Sequence, residues 1–191
     1  MNSVFSQTSA ALPADWFDAQ ALARAEVPAQ VLHWLRWQGL LTEALRTACG
    51  TGFRLQVLRQ VSTQLDELSR TLLDVADDQA LCREIVMGDQ AHSYVFARTL
   101  LPETTLSAHP WLATLGEASL GERLQTVEGL SREAFQFARL APGDALLAGL
   151  VPPARQLVWA RRSVFRLSGG PLCVFEAFLP DIVSCPIPAG A

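Results

Sequence analysis

Two charged side chains stand where the alternation of the chain calls for apolar ones. In Ala-Leu-Cys-Arg-Glu-Ile-Val-Met, from Ala80 to Met87, Arg83 shares a strand face with Leu81, Ile85 and Met87. In Leu-Cys-Val-Phe-Glu-Ala-Phe-Leu, from Leu172 to Leu179, Glu176 shares one with Leu172, Val174 and Phe178, and the opposite face is apolar as well. Burial is expected for both. A buried carboxyl without a full partner is driven toward its neutral form, which makes it a proton donor near neutral pH. A buried guanidinium keeps its proton and needs an anion, whether a carboxylate of the protein or a ligand. Either the two pair with each other in the core or they line a ligand pocket, and spacing alone does not decide.

Two helix beginnings would add to such a pocket. Ser119-Leu120-Gly121-Glu122 has the S-x-x-E form of a capping box and opens a helix through Leu124 and Val127. Thr42, with Leu41 just before it, opens another that runs to Gly50. The first amides of a helix lack intrahelical partners and carry the positive end of its dipole, so they bind carboxylate or phosphate; Gly121 lets a ligand come close. One arginine with two sets of free amides would make a carboxylate clamp. The alternative is that each helix start only caps itself. Arg161-Arg162-Ser163 lies in an apolar strand, where adjacent arginines point to opposite faces. It is read as structural, with at least one arginine facing solvent or paired with a surface acid.

Composition removes much other chemistry. All 15 basic residues are arginine. Schiff bases, a pyridoxal anchor and the phosphate-loop lysine all require an amine the chain does not have. With 19 acidic residues, a net charge of −4 and no basic run, the 191-residue chain is not expected to bind nucleic acid or an anionic membrane. No uncharged stretch reaches the ~18 residues of a membrane helix. The first fourteen residues carry no charge, so the basic start of a secretory signal is missing, and a cytoplasmic protein without stable membrane insertion is expected. Cys49, Cys82, Cys173 and Cys185 show no CxxC spacing and read as reduced thiols, while His33, His92 and His109 lie far apart. No metal site or cofactor is expected. Ser163 has no neighbouring histidine, and G-x-S-x-G is absent.

These candidates need elements to position them. Up to Gly50 the chain reads as helical, with segments opened by Pro13, Pro28 and Thr42. Strands are expected at Phe53–Val57, Ala80–Met87, Ser93–Leu101, Leu157–Leu167 and Leu172–Leu179, with hairpin turns at Gly88–His92 and Ser168–Pro171. A helix is expected at Ser107–Leu115, and Leu140–Ala154 reads as a lid-like excursion. The length suits a single α+β domain over residues 1–191, with an antiparallel sheet of about six strands covered by helices. Its core spans about residues 30–180, and the ends, 1–9 and 181–191, are expected to be loosely held.

In order, these segments resemble the chorismate pyruvate-lyase family. The strongest match is Val158–Pro180 (VWARRSVFRLSGGPLCVFEAFLP), supported by Arg83-Glu84-Ile85, by Ala97-Arg98-Thr99 with Pro102, by Leu115-Gly116 leading into Leu120-Gly121, and by Trp34–Thr42. The resemblance spans roughly residues 30–180 and rests on an ordered set of motifs.

The resemblance implies a cofactor-free carbon–oxygen lyase. Such an enzyme eliminates pyruvate from chorismate to give 4-hydroxybenzoate, at the entry to ubiquinone synthesis. It implies that Arg83 binds the ligand carboxylate, Leu120 and Leu41 contribute backbone amides, and Glu176 stands at the hydroxyl end of the ring. Catalysis is then expected from Glu176 and Arg83, in a monomer. Leu41 replaces a frequent methionine, Gln125 a common aromatic, and Leu140–Gln156 is longer than in compact members. Two alternatives remain: a non-catalytic, small-carboxylate-sensing domain of the same fold, and a lyase making another hydroxybenzoate isomer.

Overall fold

The computed structural model describes residues 15–150 and 152–188. Three helices come first, α1 (Ala19–Leu22), α2 (Ala29–Arg36) and α3 (Leu41–Cys49). Asp18 caps α1 by accepting from the Ala21 amide, Pro28 precedes α2, and α3 stops at Gly50, whose φ of 55° suits a residue without a side chain. Then follow β1 (Arg54–Gln64), α4 (Glu67–Leu73), β2 (Gln79–Gly88), β3 (Ser93–Pro102), α5 (Glu103–Ala108), α6 (Leu120–Leu124), β4 (Ser131–Arg132), β5 (Gln136–Leu140), β6 (Val158–Leu167) and β7 (Gly170–Phe178).

The strands form one seven-stranded antiparallel sheet in the order β1-β2-β3-β7-β6-β4, with β5 also paired to β6. Alternation gives the sheet two inner faces. One carries Arg83, Ile85, Ala97, Thr99, Arg161, Ser163, Val174 and Glu176, and the starts of α3 and α6 lie over it. The other carries Phe96, Ala160, Phe175 and Ala177, covered by Leu140, Leu146, Leu147 and Leu150. The α+β class holds, and β4 and β5 add two short strands that the periodicity did not reveal. At two and five residues they are too short for a pattern to stand out.

Several local expectations are corrected. The excursion after Leu140 is no lid over the site: it packs on the far face, where Glu84 is fully buried between Arg98 and Arg59, and Gly149 lies against the Glu84 carboxylate. Helix α3 begins at Leu41 with Leu40 as its cap, while the Thr42 hydroxyl donates to Met87 Sδ at 3.6 Å. Pro110 divides the expected Ser107–Leu115 helix into α5 and a tight 3-10 turn, Pro110–Thr114. Among the described residues before α2 only four are helical, and Phe17 instead bridges to Phe137. Pro13 and residues 1–9 lie outside the described residues. Residues 181–185 are held, not loose: Ile182 and Cys185 are buried, and Gln30 Nε2 donates to the Cys185 carbonyl at 2.6 Å, while residues 189–191 lie outside the described residues.

Candidate active site

A cavity of about 90 Å³ lies between the first sheet face and the starts of α3 and α6. One water needs only ~10–15 Å³. It exists because the residues crossing the middle of the sheet are short: Ala97 and Thr99 on β3, Val174 on β7 and Ser163 on β6. Arg83, Leu41, Leu120 and Glu176 all line it.

Register places the two charged residues at opposite ends of this floor. Arg83 pairs with Thr99, which pairs with Val174 and then Ser163; Ala97, Glu176 and Arg161 form the next row on the same face. With β3 between their strands and one row between their positions, their backbones stand roughly 12 Å apart. They do not pair with each other. Arg83 is 1% exposed, and its Nη2 donates to the carbonyls of Gly116 at 2.8 Å and Ala118 at 3.4 Å. Its Nε is buried with no acceptor, and among the described residues no carboxylate lies within 4 Å of it. Burial alone pushes its pKa down.

The Glu176 side chain is 14% exposed, and its Oε2 accepts from Arg161 Nε at 2.6 Å. The expectation of a carboxyl without a full partner is corrected to this extent, although Oε1 has no hydrogen bond among the described residues. Arg161 is also a correction. It is 1% exposed and faces the cavity, and its Nη1 donates to the carbonyls of Trp34, Leu35 and Trp37 at 3.2, 3.1 and 2.6 Å. Those carbonyls end α2, and although the Trp34 carbonyl also takes the Trp37 amide, a cation there meets acceptors with spare lone pairs and the negative end of the helix dipole. Its neighbour Arg162 points to the opposite face and donates to Gln136 Oε1 at 2.8 Å, and burial pushes its pKa down to about 10.

The two helix starts meet at the cavity. Ser119 Oγ accepts from the Glu122 amide at 3.4 Å, but Glu122 turns to Arg46 of α3 at 2.5 Å instead of closing a capping box. A Cβ on Gly121 would lie 3.0 Å from Leu40 Cδ2, so this glycine lets the two helix starts approach each other. As first residues of their helices, Leu41 and Leu120 have amides without intrahelical acceptors.

Sequence reasoning missed Arg161, Arg132 and Phe135, which also line the cavity. Arg161 was within reach. A two-residue turn at Ser168-Gly169, with Gly169 at φ 96°, fixes Leu167 opposite Gly170, and counting back sets Arg161 opposite Glu176. Arg132 and Phe135 carried no local signal. Among the described residues, no carboxyl, imidazole or thiol other than that of Glu176 lines the cavity.

The chorismate lyase family profile matches residues 12–185. A probable chorismate pyruvate-lyase from Cupriavidus pinatubonensis is 36% identical over 168 residues, 84% of this chain and 86% of that one. Another from Azoarcus sp. is 37% identical over 166 residues, 80% of this chain and 85% of that one. Among solved structures, the fold is similar to PhnF from Mycobacterium smegmatis (TM-score 0.57, 19% identity, 76% of this chain and 66% of that one). It is also similar to the PhnF effector domain (TM-score 0.54, 18% identity, 75% and 90%). At that identity the likeness concerns the fold alone, whereas the family profile spans the cavity residues and the relatives match over most of their length: the chain belongs to the chorismate lyase family.

Proposed function

We propose that the protein is a chorismate pyruvate-lyase that releases 4-hydroxybenzoate and pyruvate, with Arg83 and Glu176 at the two ends of the bound ring. The observation that carries this reading is Arg83: a guanidinium buried in a cavity wall with no protein carboxylate near it is a site for a ligand's anion. The amides of Leu41 and Leu120 complete the grip on the ring carboxylate.

The chemistry asks little of the protein. As the C3–O bond breaks, the C4–H electron pair becomes a ring π bond and the C4 proton leaves. The ring becomes aromatic with a hydroxyl at C4, and the departing enolate oxygen takes a proton before the enol rearranges to pyruvate. Atoms and electrons balance without an oxidant, so orientation and one proton carrier suffice. Glu176, a carboxylate paired with Arg161, takes the proton released from C4 and passes it to the departing enolate oxygen. Among the described residues, it is the one carboxylate lining the cavity. Arg161 acts through Glu176 as a positioning residue, fixing Oε2 and leaving Oε1 for the substrate.

We further propose a monomeric, cytoplasmic enzyme at the entry to ubiquinone synthesis. Among the described residues no helix is long and apolar enough to cross a membrane.

The test is to mix purified protein with chorismate and EDTA, follow ultraviolet absorbance, and identify the products by chromatography. Equimolar 4-hydroxybenzoate and pyruvate are expected. Another hydroxybenzoate would correct the isomer. No turnover, with a thermal shift by 4-hydroxybenzoate, would replace the lyase with a sensing domain.

A further inference from the structure

Among the described residues, three arginines line the cavity, and the only carboxylate lining it belongs to Glu176. Arg161 takes that carboxylate, which leaves two guanidinium groups unmatched: Arg83, buried in the wall, and Arg132, exposed on β4. Arg132 has no carboxylate within 4 Å among the described residues. Its Nη2 donates to the carbonyl and the side-chain Oε1 of Gln38, at 3.0 and 3.1 Å, in the connection between α2 and α3. Its guanidinium lies 4.5 Å from the centroid of the Phe135 ring, against which Arg161 also rests at 4.2 Å. The Arg132 cation is therefore held between neutral acceptors and an aromatic face, beside a second cation. Burial first and the charge of Arg161 second push its pKa down, and the charge of Glu176, beyond 4 Å and already held by Arg161, offsets them only in part.

We infer that Arg132 binds the second carboxylate of the substrate, the one on the enolpyruvyl side chain, and thereby distinguishes substrate from product. This rests on the lyase reading, in which the substrate is a dianion and the aromatic product keeps a single carboxylate. Two unmatched guanidiniums fit two carboxylates, one deep at Arg83 and one at the mouth at Arg132. A carboxylate makes shorter and stronger bonds to a guanidinium than the neutral oxygens of Gln38 do, so the substrate displaces that contact. Once the C3–O bond breaks, the carboxylate on Arg132 leaves with pyruvate. The aromatic product then keeps only the grip at Arg83, and its affinity is independent of Arg132.

The experiment compares Arg132→Gln and Arg132→Lys with the parent protein, using steady-state kinetics on chorismate and a titration with 4-hydroxybenzoate. Arg132→Gln is expected to raise KM for chorismate about tenfold or more with kcat little changed, since the contact is made equally in ground and transition states. The affinity for 4-hydroxybenzoate is expected to stay within about twofold, and Arg132→Lys to recover part of the loss through its charge. An unchanged KM, or an equal loss of affinity for 4-hydroxybenzoate, overturns the inference. Turnover by the parent protein tests the lyase reading separately. If it is absent, the ratio of chorismate to 4-hydroxybenzoate affinity in each variant, read by thermal shift, still decides the role of Arg132.

Discussion

Arg161 and Glu176 stand directly opposite each other on β6 and β7, joined Nε to Oε2 at 2.6 Å, and the same guanidinium closes the carboxyl end of α2 through three carbonyls. One side chain thus ties the helix layer to the acid of the cavity. Breaking a buried pair by removing one partner costs about 3–5 kcal/mol, because it leaves the other charge uncompensated. Arg161→Met is expected to lose that stability, a fall in Tm of roughly 10 °C. It should also lower kcat more than it raises KM. Arg161→Lys, which keeps the charge but not the fork, should regain part of kcat. Thermal melts with steady-state kinetics check this, and a kcat equal to the parent's in Arg161→Met would remove the positioning role.

Glu176→Gln keeps the shape of the side chain and removes its capacity to accept and pass on a proton. Turnover should fall by about 10²–10⁴-fold, the usual worth of a positioned acid or base. Affinity for 4-hydroxybenzoate should fall by no more than about tenfold, since the amide still hydrogen-bonds. Single-turnover kinetics and a binding titration separate the two effects, and an unchanged rate would sink the proton-carrier assignment.

Arg83→Met replaces a buried cation with a flexible apolar chain of comparable length. Losing a charged hydrogen bond to a ligand costs about 1.5–3 kcal/mol, or roughly 10–150-fold in affinity. Substrate and product should lose it together, in contrast to Arg132, because both carry the ring carboxylate. The thermal stabilisation given by 4-hydroxybenzoate should then vanish at concentrations that stabilise the parent. A preserved shift would mean that the carboxylate is held elsewhere.

Asp89 predicts how stability responds to acid. It accepts from the Tyr94 hydroxyl at 2.7 Å and from the amides of Ala91 and His92 at 2.7 and 2.8 Å, and these bonds hold its carboxyl well below the usual carboxylate range. An unfolded aspartate titrates near 3.9. The depressed folded value means that this contribution is complete above that pH and is lost as pH falls through the folded pKa. Asp89→Asn should therefore lower Tm at neutral pH, and its deficit should shrink below about pH 3. Melts across that range check the sign, and a deficit independent of pH would contradict it.

Alternation at Phe53–Val57 and apolar runs bounded by turn residues marked five strands, although β1 continues to Gln64, alternation turned Arg83 and Glu176 inward, and the helix-start patterns put Leu41 and Leu120 at amide-rich positions. Those features are local: side-chain direction and free amides follow from backbone geometry within a few residues. The Arg161–Glu176 pair was one step further, legible only with the hairpin turn placed to the residue. What the tertiary structure alone decided is long-range. That β7 inserts beside β3 brings Ala97 and Thr99 next to Val174 and Glu176, and so opens a cavity over a floor of short side chains. Helix starts separated by nearly eighty residues meet there because Gly121 admits Leu40. Glu84, one residue from Arg83, serves the opposite face with Arg98 and Arg59. Strand order and register are fixed by burying a whole face at once, so no local window of the chain carries them.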